Sequence, residues 1–133
     1  MRSMSATGKC ACAGVRYVVE GELRDVYNCH CERCRRITGH YMAATAAHPD
    51  AVVFESDATL RWYSPVEGVE YGFCSVCGSS LFWRASAHPE KLSICAGTLD
   101  QPTGLRTTDA WYSADHADYH QPQTGINNHD HEG

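Results

Sequence analysis

Short runs rich in β-branched and aromatic residues alternate with polar breakers along most of the chain. GVRYVVE (14–20) and DVYNC (25–29) read as strands, the second running into a cysteine. ERCRRIT (32–38) predicts a helical turn stopped by Gly39, and HYMAATAA (40–47) leads to the breaker HPD at 48–50. AVVFES, LRWYS, VEYGFC and SLFWR (51–84) follow as short segments, several separated by breakers such as SPVEG and SAHPE. KLSICAG (91–97) alternates, which puts Leu92, Ile94 and Ala96 on one face. Many short strands with little helix indicate a mainly β domain.

The 133 residues suit one domain. The pattern weakens after Gly104, and the polar ending NNHDHEG is expected to be disordered, because short polar termini seldom repay their ordering entropy. A folded unit over 8–122 is expected, with flexible termini at 1–7 and 123–133.

Apolar content of 43% and charged content of 20% fit an ordinary globular protein. No run approaches the roughly 20 apolar residues of a membrane-spanning helix, and the opening MRSMSATGK lacks the apolar stretch of a secretory signal. A cytoplasmic protein with no membrane partner is therefore expected. The net charge of −5 argues against general affinity for nucleic acid. The one tight basic cluster, Arg33, Arg35 and Arg36, lies among cysteines.

Cysteine is the abnormal count: eight, in clusters. Clustered cysteines in a reducing compartment are more often metal ligands than disulfides. Cys74 and Cys77 form a Cys-x-x-Cys followed by Gly78, which fits a turn that aims two thiolates at one ion. Two sulfurs make half of a tetrahedral zinc site. Cys10 and Cys12 are the economical partners, since using Cys29, Cys31 or Cys34 instead would break a ready-made triplet. Cys10, Cys12, Cys74 and Cys77 are thus expected to enclose a structural zinc. The competing readings are buried apolar cysteines and a redox dithiol at Cys74 and Cys77.

Cys29, Cys31 and Cys34 then offer three sulfurs and a vacancy, the arrangement of catalytic zinc. His30 could fill the vacancy, but strand-like alternation would aim it away. Zinc with three thiolates carries a net negative charge, which polarises a carbonyl weakly but suits an incoming thiol. Arg35 and Arg36 could offset that charge or hold the carboxylates of an anionic thiol substrate.

The stretches GKCACAGVRY (8–17), YNCHCERCRRITG (27–39), YGFCSVCGSSLFW (71–83) and ICAGTLDQP (94–102), in this order, resemble the glutathione-dependent formaldehyde-activating enzyme family, which also includes centromere protein V-like proteins. The resemblance implies a β-tent fold with two zinc ions, with Cys10, Cys12, Cys74 and Cys77 matching the structural ligands. Cys29, Cys31 and Cys34 match the catalytic ones. It also implies a carbon–sulfur lyase acting on a small thiol such as glutathione and a small aldehyde such as formaldehyde. A zinc-stabilised binding module without catalysis is the alternative, and a redox or metal-buffering role a third. One departure stands out: Ala13 occupies the place directly after the second cysteine where glycine is expected.

The remaining candidates have plainer readings. Cys95 is expected to be a packed core thiol, and Trp62, Trp83 and Trp111 core anchors. His116 and His120, like His129 and His131, are expected at the surface or in the tail, and Asp100 in a turn.

Overall fold

The computed structural model describes residues 5–131. Strands β1 (Ser5–Lys9), β2 (Arg16–Glu20) and β3 (Val26–Cys29) precede the helix α1 (Glu32–Thr38). Then come β4 (Met42–Ala47), β5 (Val52–Ser56), β6 (Leu60–Val66), β7 (Val69–Cys74), β8 (Ser80–Ala85) and β9 (Leu92–Cys95). The chain finishes with β10 (Thr107–Trp111) and β11 (Asn127–Asn128). This is the mainly β fold expected. Among the described residues no helix is long and apolar enough to cross a membrane.

Two sheets form. A three-stranded sheet has the order β1-β2-β5, and an eight-stranded sheet the order β11-β10-β3-β4-β9-β8-β7-β6. The pairs are antiparallel except where β10 lies parallel to β3 and β11. Parallel pairing needs a connection longer than a hairpin, and the excursion from β9 to β10 supplies it.

Alternation along the strands gives the large sheet two apolar faces. Leu92 and Ile94 of β9 pack with Phe82 against Val15, Tyr17 and Val19. The Tyr17 and Phe54 rings meet Phe82 edge-on, at centroid distances of 5.3 and 5.6 Å. Such aromatic pairs add about 0.5–1.5 kcal/mol each beyond the area they bury. Met42 and Ala44 of β4 point the other way and pack with Tyr71 against Cys34 of α1, with Ile37, Trp83 and Cys95 at the margin. The small sheet and the helix therefore belong to separate clusters, and the cysteine triplet sits in the second.

Helix α1 begins where expected. The Cys31 sulfur accepts the Cys34 N–H at 3.3 Å, and Gly39 ends the helix at φ 91° with its N–H returned to the Arg35 carbonyl.

Four features depart from the sequence reading. Ala96 falls in a 3-10 turn rather than on the β9 face. The polar segment Ser5–Lys9, part of it expected to be flexible, forms β1 on the small sheet. It pairs closely because Gly8 lies opposite Tyr17, whose ring any Cβ at Gly8 would strike. Thr107–Trp111, where the pattern seemed weak, is an interior strand. The tail expected to be disordered is paired: Asn127 and Asn128 lie beside Asp109 and Ala110, and the His129 N–H bonds the Ala110 carbonyl at 2.8 Å. Residues 1–4 and 132–133 of the expected flexible termini lie outside the described residues.

Candidate metal centres

Cys10 follows β1 and Cys12 lies in the turn before β2, while Cys74 ends β7 and Cys77 sits in the turn to β8. All four sulfurs gather within 4.8 Å of one another. Cys12 Sγ lies 3.7 Å from Cys10 Sγ and 3.6 Å from Cys74 Sγ. A tetrahedron of Zn–S bonds has S–S edges of roughly 3.8 Å, so the spacing suits such an ion. Gly78 makes the second turn at φ 79°, its N–H bonding the Cys74 carbonyl at 2.8 Å.

Donors surround these sulfurs. The N–H groups of Val15 and Cys77 point at Cys10 Sγ and Cys74 Sγ, at 3.3 and 3.4 Å. The Thr59 hydroxyl lies 3.2 Å from Cys74 Sγ, and the Ser79 hydroxyl 3.1 Å from Cys77 Sγ. The Cys77 N–H and the Thr59 hydroxyl lower the Cys74 thiol pKa, and Ser79 brings that of Cys77 to about 5. Ser79 Oγ also accepts the Ala11 N–H at 3.0 Å, so one hydroxyl joins both turns. Ala13 takes the left-handed conformation, φ 64°, and thus performs the turn for which glycine was expected.

Cys29, Cys31 and Cys34 form the other group, again with sulfurs within 4.8 Å of one another. Strand β3 delivers Cys29, and the first turn of α1 delivers the other two. Among the described residues no fourth Cys, His, Asp or Glu ligand atom joins them. The Cys31 thiol is drawn down by the sulfurs of Cys29 and Cys34, the Cys34 N–H and the Arg33 charge. Cys29 is pushed the other way by its contacts with Cys31 and Cys34 and by burial. Three crowded sulfurs suit a cation that would favour the thiolate form of each. The buried Tyr71 hydroxyl lies 3.3 Å from Cys34 Sγ.

His30 is buried and faces away from this group, its ring 4.8 Å from Tyr41 and 5.2 Å from His120. Burial, followed by the neighbouring His120, His116 and His40, lowers its pKa to about 4. His120 therefore stacks on His30 of the cysteine loop, and the His116 ring lies 6.4 Å from that of His120. Arg36 is exposed and lies 3.7 Å from Glu32. Arg35 Nε is buried and has no acceptor among the described residues. Cys95 lies beside the triplet's cluster, and burial raises its thiol to about 12.

The sequence reading missed Thr59, Ser79 and Tyr71. Ser79 had a local signal, two residues after a knuckle cysteine. Thr59 and Tyr71 had none, because they reach sulfurs 15 and 37 positions away.

A crystal structure of a Rhodobacter sphaeroides protein, a structural-genomics target, is similar with a TM-score of 0.62 and 25% identity, over 77% of this chain and 99% of that one. Among curated proteins none matches. The family model of the glutathione-dependent formaldehyde-activating enzyme matches residues 5–115, a span that holds every cysteine described above. The chain belongs to that family.

Proposed function

We propose that this protein is a zinc-dependent carbon–sulfur lyase that joins a small thiol such as glutathione to a small aldehyde, or reverses that step, in a reducing cytoplasmic setting. The observation that carries the reading is the three-sulfur group of Cys29, Cys31 and Cys34, which no fourth ligand joins among the described residues. A zinc ion there would offer one exchangeable position and favour the deprotonated form of an incoming thiol. The four-sulfur group would hold a second zinc with no position to spare, in a structural role.

In the forward direction the thiol sulfur bonds to the carbonyl carbon, the C=O π bond opens, and the thiol proton ends on the oxygen. The chain's own groups support this. The Tyr71 hydroxyl can donate to Cys34 Sγ and moderate its negative charge. Arg35 and Arg36 follow the triplet directly and would hold substrate carboxylates. Arg35 is the better suited, because its buried Nε lacks an acceptor among the described residues.

The test is exchange spectroscopy on glutathione and formaldehyde. Protein with two zinc equivalents should speed their interchange with S-(hydroxymethyl)glutathione beyond the spontaneous rate, and Cys31→Ala should abolish the gain. Full zinc content with no acceleration would reject the lyase reading and leave a zinc-stabilised binding module.

A further inference from the structure

A cleft of about 310 Å³ opens beside the cysteine triplet, walled by Ile37, Met42, Phe73, Phe82 and the rings of Tyr63 and Tyr71. Two observations tie it to the triplet. Ile37, Met42 and Tyr71 belong to the cluster that packs around Cys34. Tyr71, which lines the cleft, also places its hydroxyl 3.3 Å from Cys34 Sγ. A larger recess of about 390 Å³, between β1 and the 99–105 loop, is lined by none of the residues that pack around Cys34.

The cleft's chemistry is one-sided. Among the described residues no Lys, Arg, His, Asp or Glu lines it. The carboxylates and ammonium of glutathione would have no charged partner there, only the hydroxyls of Ser80 and the tyrosines, and burying unpaired charge is strongly unfavourable. Formaldehyde has no substituent to fill a space of this size. At its margin Tyr63 is 54% exposed, so an apolar ring there lies open to solvent.

We infer that the cleft receives the apolar substituent of the aldehyde, so that the carbonyl substrate is an uncharged aliphatic or aromatic aldehyde larger than formaldehyde. This rests on the lyase reading above. It divides the substrates by chemistry: the thiol's charged ends go to arginine, and the aldehyde's apolar group goes between Met42 and the tyrosines. Seating a group of phenyl size should favour it over a one-carbon analogue by about 10- to 100-fold.

Methyl-labelled methionine gives a direct probe, because Met42 lines the cleft whereas the other methionines are Met1 and Met4. The zinc-loaded protein is titrated with benzyl alcohol, an unreactive stand-in for benzaldehyde, and with methanol. The Met42 methyl resonance should shift and saturate with benzyl alcohol at a concentration at least tenfold lower than with methanol. Tyr63→Ala and Ile37→Arg should each bring that ratio toward one. A Met42 signal that ignores benzyl alcohol, or a ratio unchanged in both variants, overturns the inference. Exchange measurements with glutathione and either aldehyde separate this from the broader reading. Acceleration with formaldehyde but no Met42 shift rejects the cleft and keeps the lyase. No acceleration with either aldehyde rejects the lyase, and the inferred substrate with it, even if benzyl alcohol binds.

Discussion

His129 lies flat on the indole of Trp111, the ring centroids 3.8 Å apart and the planes 11° from parallel. The same imidazole meets Asp109 Oδ2 through Nε2 at 2.8 Å. The contact anchors the end of the chain to β10, whose Trp111 carbonyl accepts the His30 N–H at 2.9 Å within the cysteine loop. His129→Ala should cost about 0.5–1.5 kcal/mol. It should also speed amide exchange across 123–131, read by hydrogen-exchange mass spectrometry.

Acid should loosen the same contact. Hydrogen bonds from Thr108 and then His129 hold the Asp109 carboxyl below its ordinary value of 3.8. A carboxyl depressed in the folded state contributes stability that is complete above its unfolded pKa and is lost as pH falls through the folded value. Exchange in 123–131 should therefore rise selectively below pH 3.8, and Asp109→Asn should remove that pH dependence.

Ala13 carries a left-handed strain beside the four-cysteine group, at φ 64°. A non-glycine residue there costs roughly 1–2 kcal/mol, of which glycine's extra unfolded-state entropy returns roughly 0.4–1. Ala13→Gly should thus stabilise the zinc-loaded protein by about 0.5–1 kcal/mol, measured by calorimetry.

The two sulfur groups should respond differently to loss of a ligand. Cys31→Ala should keep its fold and drop from two metal equivalents to one, by elemental analysis. Cys74→Ala removes a fully buried sulfur that joins two distant turns. Zinc sites of this kind contribute roughly 10–16 kcal/mol in small peptides, so this variant should lose cooperative unfolding. A normally folded Cys74→Ala would refute the structural role.

Tyr71→Phe keeps the ring in its cluster and deletes only the donor to Cys34 Sγ. Loss of such an outer partner lowers metal affinity by about 10- to 100-fold. Competition with a chromogenic chelator should show that loss at the three-cysteine group only, with the four-cysteine group unchanged.

Much of this was legible in the chain, and the reasons are local. The Cys74–Cys77 turn, its Gly78 and the Cys31-to-Cys34 helix start depend on residues within a few positions of one another. The apolar alternation of Leu92 and Ile94 likewise reports a strand with a buried face. Strand β1 and the paired tail gave no such signal. Their polar residues are held by backbone hydrogen bonds to β2 and β10, and backbone groups are the same in every sequence.

Sequence by itself determined the cysteine clusters, their expected grouping and the mainly β character, since spacing and periodicity act over short stretches. Tertiary structure alone decided that Thr59 reaches Cys74, that Tyr71 reaches Cys34, and that an uncharged cleft opens beside that second contact. Those contacts arise from how two sheets and a helix pack. Packing depends on shape complementarity between distant segments, which no local pattern encodes.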